Sequence, residues 1–181
     1  MAGTYTYAYT GNQFNQALDE DTSTFGLLPS GSFTANDFVT VSFTLSAPLQ
    51  PNTYNNHLLS SIVAYSASSG VIALDNTDSS IQLIALQTDA SGAIVDWGFN
   101  IWGDGIGQVD SNYHTYTPAG FNFDEGCIAG SSICGESQNN PGVWTLPDSD
   151  LSAPEPSSLF LLGSGMLGLA AIRRRRAAHS Y

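Results

Sequence analysis

Two aspartates beside two tryptophans are the residues of this chain whose types and spacing best suit hydrolysis. Asp96 precedes Trp97, and Asp104 lies two residues after Trp102. A glycosidase needs two carboxyl groups facing each other across the scissile bond, one acting as acid and the other as base or nucleophile. Strand alternation instead points Asp96 outward, and the glycines of Gly103–Gly107 predict a turn around Asp104. We therefore keep a hydrolase only as the weaker alternative.

Nucleophilic catalysis has little support in the sequence. His57 and His114 lie in polar stretches, and no serine stands in a Gly-x-Ser-x-Gly motif. A Ser/His/Asp site assembled only by folding stays open. We interpret both histidines as solvated loop residues and predict that the protein is not an enzyme.

The three tryptophans, Trp97, Trp102 and Trp144, are candidate glycan contacts. An aromatic ring offers an apolar face on which a sugar ring can stack, while neighbouring Asn, Asp and Gln side chains bond the hydroxyl groups. The alternative is that Trp97 and Phe99 fill a core and Trp102 packs at the end of a strand. A glycan-binding module is therefore our second functional hypothesis.

Oxygen-rich clusters raise the question of a bound metal. They lie at 19–21, 75–78 and 148–150. Calcium prefers six to eight oxygen ligands, but none of these clusters has the spacing of an EF-hand, and acids in loops are commonly just solvated. We predict no cofactor, with Ca²⁺ as the ion to test.

The charge distribution excludes one class of partner. The chain has 16 acidic residues, no lysine and four arginines, all at 173–176, and its net charge is −12. Nucleic-acid binding depends on cations that replace the counterions of phosphates, so no nucleic-acid partner is expected. Charged residues make up 11% of the chain, against about 25% in ordinary globular proteins, which is typical of secreted domains.

A short apolar segment near the C-terminal end separates a Pro-Glu-Pro triplet from the arginines. The triplet is Pro154, Glu155 and Pro156, the apolar run is Leu159–Ile172, and the basic cluster is Arg173, Arg174, Arg175 and Arg176. As a helix the run would be about 21 Å long, against a hydrocarbon core of about 30 Å, so it is a marginal membrane span. The positive-inside rule keeps the arginines cytoplasmic and the acidic body outside.

This order of features resembles the PEP-CTERM sorting signal of Gram-negative bacteria, over residues 154 to about 176. The resemblance implies export, transient anchoring in the inner membrane, and processing by an exosortase near the Pro-Glu-Pro motif. It also implies delivery to the cell surface or matrix, with an association with exopolysaccharide and biofilm.

The first residues do not look like an export leader. They read MAGTYTYAY, without the basic and then apolar regions of a signal peptide. We expect a signal peptide to be encoded upstream.

Two cysteines, Cys127 and Cys134, flank a loop rich in Gly and Ser. Outside the cytoplasm such a pair is expected to form a disulfide. The spacing does not fit a Cys-x-x-Cys redox motif, and the further ligands of a zinc site are missing around it.

Period-two alternation predicts an all-β fold. Strands are expected at 4–9, 38–45, 58–65, 71–74, 81–87 and 93–102, the last two as a hairpin, with a possible helical turn at 15–20 and irregular chain at 120–152. This favours an antiparallel β-sandwich or jelly-roll-like domain at 1–146. A linker at 147–158 and one short hydrophobic helix with its basic end at 159–181 should follow.

Overall fold

The structure is a computed structural model that describes residues 3–18, 31–55, 58–113 and 122–146. In this part of the chain, twelve strands form two antiparallel sheets that pack face to face, so the β-sandwich prediction is confirmed. Sheet A contains, in spatial order, β12 (Val143–Thr145), β1 (Tyr5–Thr10), β3 (Thr40–Leu45), β5 (Ile62–Ser68) and β6 (Ala73–Asp75). Sheet B contains β2 (Gln16–Leu18), β11 (Cys134–Gln138), β10 (Phe123–Ile128), β9 (Gly107–Tyr113), β8 (Ile94–Gly103), β7 (Ser79–Thr88) and β4 (Tyr54–Asn55).

The core lies between the sheets because alternate residues of strands such as β3 and β8 are apolar and face the opposite sheet. In β3, Val41, Phe43 and Leu45 are buried, and from the other sheet Phe99 and Ile101 of β8 are fully buried. Removing such side chains from water contributes roughly 1.5–3 kcal/mol each, which is the main force holding the sheets together.

Several aromatic rings of the two sheets contact one another in the core. Tyr9 of sheet A lies 5.4 Å from Trp97 and 5.9 Å from Phe99 of sheet B, measured between ring centroids. Phe43 lies 5.9 Å from Phe99, with the rings edge to face. Tilted and edge-to-face pairs of this kind add stability beyond their burial and fix how the sheets sit on each other.

The predicted hairpin between β7 and β8 is present. Asp89 accepts hydrogen bonds at Oδ1 from the backbone N–H groups of Ser91 (2.8 Å) and Ala93 (3.0 Å). Gly92 has φ of 84°, a conformation that glycine adopts without the clash of a Cβ. The turn therefore follows directly from the Asp-x-x-Gly sequence.

Three local predictions were wrong. The stretch expected to be irregular holds β10, β11 and β12, and the sequences of the first two, FDEGCI and CGESQ, are polar and contain glycine. Gln16–Leu18 is a strand rather than part of a helical turn, because it pairs with β11. The start of the strand predicted at 58–65 is a 3₁₀ turn, Leu58–Ser61. In the first two cases pairing with a neighbouring strand overrides the local pattern.

The predicted linker and the predicted C-terminal helix lie outside the described residues. Within the ranges that the structure describes, no helix is long and apolar enough to cross a membrane.

Candidate functional site

The three tryptophans occupy different environments. Trp97 is only 5% exposed and is a core residue, the alternative that the sequence left open. Trp144 is partly buried against the same core. Trp102 is 41% exposed on the outer face of sheet B, so of the three it is the one with a ring available to a ligand.

Trp97 belongs to a buried polar network that joins the sheets. Its Nε1 donates to the Ser111 hydroxyl at 2.9 Å, and Ser111 in turn hydrogen bonds to Asp124. The Tyr9 hydroxyl donates to both carboxylate oxygens of Asp124, at 2.8 and 2.9 Å, and accepts from the backbone N–H of Gly142 at 2.8 Å. This chain of bonds connects β8, β9 and β10 of sheet B to β1 of sheet A.

Burial perturbs the titration of this network. It raises the pKa of Asp124 to about 6, against the opposing effect of the hydrogen bonds from Ser111 and Tyr9. Burial also raises the pKa of Tyr9, and the neighbouring Asp124 carboxylate raises it further. Because Asp124 is 2% exposed, the network has the features of a structural clasp rather than of a site open to substrate.

The outer face of sheet B carries two parallel rows of side chains that run across the strands. The strand register defines the tryptophan row as Ser80, Trp102, Gln108 and the Cys127–Cys134 pair. It likewise defines the amide–carboxylate row as Asn100, Asp110, Glu125 and Glu136. Neighbours within a row are one strand apart, about 4.8 Å, and the rows are two residues apart, about 6.8 Å.

Each carboxylate of the amide–carboxylate row accepts a hydrogen bond from a side-chain amide. Asn100 donates to Asp110 at 2.9 Å and Gln108 donates to Glu125 at 2.9 Å. Burial is the main cause that raises the pKa of Asp110 and of Glu125, and for Glu125 the negative charge of Asp110 acts in the same direction.

The third amide–carboxylate pair, formed by Gln138 and Glu136, lies in β11. Gln138 donates to Glu136 at 3.0 Å and receives a bond from Gln16 at 3.2 Å. The three pairs fix the orientation of side chains that would otherwise repel one another. The face is therefore an ordered array of hydrogen-bonding groups.

The predicted disulfide is present, with Cys127 Sγ and Cys134 Sγ bonded directly opposite each other in β10 and β11. The Cys127 sulfur lies 3.1 Å from Glu125 Oε1. These three side chains group closely enough to suggest a metal site, but sulfur in a disulfide offers no thiolate to a metal. The disulfide instead forms the end of the tryptophan row at β10 and β11.

The proposed hydrolytic pair is not brought together. Asp96 lies in β8 and is 5% exposed, whereas Asp104 lies in the turn after the strand ends. Seven residue steps of extended chain, about 23 Å, lie between Asp96 and the end of β8 at Gly103, and a glycosidase needs its two carboxyl groups within about 10 Å. Asp96 and Asp104 therefore cannot flank one glycosidic bond.

The acids at 75–78 close a turn. Asp75 Oδ1 accepts from the backbone N–H of Thr77 at 2.7 Å and from its hydroxyl at 2.6 Å, and Asp78 accepts from the backbone N–H of Asp75 at 2.9 Å. The two bonds from Thr77, the hydroxyl first, lower the pKa of Asp75. The other two acidic clusters, His57 and His114 lie outside the described residues.

The outer face of sheet A is chemically different. It forms a shallow trough of about 500 Å³, and the side chains that β1, β3 and β5 turn toward it are Ala, Ser and Thr, for example Ala8, Ser42 and Ser66. Asp75 and Asp78 stand at one side. On these described strands the trough offers hydroxyl groups but no aromatic ring on which a ligand could stack.

The amide–carboxylate row was missed in the sequence. The sequence did contain a signal, because Asn100 and Trp102 are two residues apart in β8, and Gln108 and Asp110 are two residues apart in β9. These residues stand at every second position, which places each pair on one face. The sequence could not show which strands lie side by side, so the row becomes visible only in the sheet.

The comparisons with known proteins concern the C-terminal part of the chain. Residues 152–176 match the family model described as the PEP-CTERM protein-sorting motif. The match covers Pro154, Glu155, Pro156 and the arginines 173–176, which all lie outside the described residues. Comparison with curated proteins and with solved structures found no match. The chain thus carries a PEP-CTERM sorting signal, that of an exported protein that is anchored transiently in a membrane and processed by an exosortase.

Proposed function

We propose that the chain delivers an acidic β-sandwich to the cell surface or the extracellular matrix of an exopolysaccharide-producing bacterium. The observation that carries this proposal is the sorting motif at 152–176. In the proposed sequence of events, Arg173–Arg176 stop translocation, Leu159–Ile172 holds the chain in the membrane, and an exosortase cleaves near the Pro-Glu-Pro triplet.

The chemistry of the tail supports each step. Arginines on the cytoplasmic side oppose further translocation. The apolar run is shorter than the bilayer core, which suits a segment that is held for a limited time. Proline lacks an N–H group and pushes the residue before it away from helical geometry, so Pro154–Pro156 is disposed to an extended form that a processing enzyme can bind.

The test is mass spectrometry of the mature C-terminus, with membrane fractionation, in the native host. We expect the wild-type chain to end near the triplet. Replacing Arg173–Arg176 with alanine should reduce both membrane retention and cleavage, whereas replacing them with lysine, which keeps the charge, should leave both close to wild type. Unchanged fractionation and processing in the alanine variant would refute the role of the arginines.

A second candidate function is glycan binding by the sandwich, because Trp102 exposes its ring beside ordered polar side chains. In that case the delivered domain holds exopolysaccharide of the matrix. Co-sedimentation of the full chain with exopolysaccharide extracted from the host measures this. We expect the protein to sediment with the polymer, and Trp102→Ala to remain in the supernatant.

A further inference from the structure

The exposed ring of Trp102 lies near the end of β8 with polar side chains on the two neighbouring strands, and the exposed Leu83 of β7 lies opposite Asn100. Ser80 and Gln108 are its cross-strand neighbours, and Asn100 lies two residues before it on the same face of β8. An indole ring that is 41% exposed among polar groups has an apolar face without an apolar neighbour beside it in the row. Such a ring suits a ligand that has both a flat C–H face and hydroxyl groups, which describes a pyranose sugar.

The amide–carboxylate pairs beside the Trp102 ring can form hydrogen bonds with the hydroxyl groups of a sugar. A side-chain amide has two N–H donors and one carbonyl acceptor. The bond from Gln108 to Glu125 uses one of the two N–H donors. The same holds for Asn100 and its bond to Asp110. A carboxylate accepts strongly from a hydroxyl donor. Because each pair is already fixed, little side-chain entropy is lost when a sugar binds.

The charge of the face decides which glycans fit. Asp110, Glu125 and Glu136 stand on three adjacent strands in directly opposed positions. The chain has no lysine, and its arginines lie only at 173–176, so the sandwich sequence supplies no fixed positive charge to balance them. Uronic acid, sulfate or phosphate groups would be repelled at this distance, whereas uncharged hydroxyl groups would not.

We infer that the outer face of sheet B binds a neutral polysaccharide, laid across β8, β9 and β10, with one sugar stacked on Trp102 and the next bonded by the amide–carboxylate row. This inference rests on the second candidate function and names its ligand class and its site. The distance from β8 to β10 is about 10 Å, so the site spans more than one sugar and favours a polymer over a monosaccharide.

Affinity electrophoresis tests the site with defined polymers. The full chain, kept in a mild non-ionic detergent, is run in native gels that contain laminarin or dextran as neutral probes and alginate or hyaluronan as uronic probes, at 10 mM salt. We expect retardation by at least one neutral polymer and none by the uronic polymers. Trp102→Ala should raise the Kd at least tenfold, and Trp102→Phe, which keeps a ring, should raise it less.

Two matched variants separate the site from general effects. Tyr54→Ala removes a ring that is 60% exposed on β4, at the edge of sheet B, and should leave the Kd unchanged. Glu125→Gln removes one charge while keeping an acceptor oxygen. It should weaken binding of the neutral polymer, because an amide oxygen accepts less strongly than a carboxylate, and it should allow measurable retardation by the uronic polymers, because one repelling charge is gone.

The outcomes are distinguishable. Equal binding of neutral and uronic polymers by the wild type would overturn the charge selectivity while leaving glycan binding intact. Wild-type affinity in a folded Trp102→Ala variant would overturn the site. If no polymer retards the chain, the glycan function fails as well, whereas the sorting function is judged separately by the mature C-terminus.

Discussion

At the scale of single residues, Asp124 has the most perturbed environment of the carboxyl groups described above. It is 2% exposed and no cation lies beside it among the residues that the structure describes, and its hydrogen bonds from Tyr9 and Ser111 only partly offset the loss of hydration. Its pKa therefore rises from 3.8 to about 6. Asp110, on the opposite face of the sheet, adds a smaller repulsion in the same direction.

The sign of the linkage follows from this shift. Between roughly pH 4 and pH 6 the folded protein keeps the proton of Asp124 while the unfolded chain has released it, so stability falls as the pH rises through this window. At pH 7 the charged, buried carboxylate costs on the order of 3 kcal/mol. The pKa values of Asp110 and Glu125 are also raised, and they contribute to the same trend.

Asp124→Asn should flatten the pH dependence of stability. The amide keeps an acceptor for Tyr9 but cannot ionise, so the loss of unfolding free energy between pH 5 and pH 7.5 should shrink by about 1.4 kcal/mol, the part of the effect that develops above pH 5. Urea unfolding at several pH values measures this. Asp104→Asn, a change in the exposed turn, should keep the wild-type slope. Identical slopes for Asp124→Asn and the wild type would contradict the assignment.

At the scale of elements, the β10–β11 hairpin depends on glycine. Gly126 and Gly135 are directly opposed, on the face that meets the core. A Cβ at Gly135 would lie 2.5 Å from the Phe14 ring and 2.9 Å from Phe33 Cβ. The two rings pack edge to face at 5.6 Å and occupy the space that the glycines leave.

Gly135→Ala should therefore destabilise the sandwich by about 2–3 kcal/mol, because the added methyl displaces the Phe14–Phe33 pair. Thermal or urea unfolding measures the loss. Gly3→Ala is the matched control, since the nearest atom to its Cβ would be 3.9 Å away. An equal effect of the two substitutions would show that the close packing around Gly135 is not important.

The disulfide stabilises the same hairpin. Replacing both Cys127 and Cys134 with serine should lower the unfolding free energy by about 2 kcal/mol, since the closed loop is short. The wild type measured in a reducing agent should unfold at the same urea concentration as the double variant. If the oxidised wild type also unfolds there, the bridge contributes no stability.

At the scale of the whole molecule, the main feature is the large excess of negative charge. The net charge is −12, and the basic side chains other than histidine are the four arginines of the sorting signal. Mutual repulsion of the acids opposes compaction, and it extends over about 30 Å at 10 mM salt but only about 8 Å at 150 mM.

Salt should therefore stabilise the protein. We expect the Tm to rise by about 3–5 °C between 10 and 150 mM NaCl, which corresponds to roughly 1 kcal/mol. CaCl₂ at matched ionic strength separates screening from binding, because a further rise would indicate bound Ca²⁺. A Tm that does not change with NaCl would show that repulsion between the acids is negligible.

The sequence by itself determined the sorting signal, the all-β class, the β7–β8 hairpin and the disulfide. Each depends on residues that are close together in the chain, namely Pro154–Arg176, an alternating strand, Asp89–Gly92 and Cys127–Cys134. Only the tertiary structure decided which tryptophan meets solvent, that Asp96 and Asp104 lie far apart, and that three carboxylates line up across β9, β10 and β11. Those facts depend on strand order and register, which are set by long-range pairing and core packing that local sequence patterns do not encode.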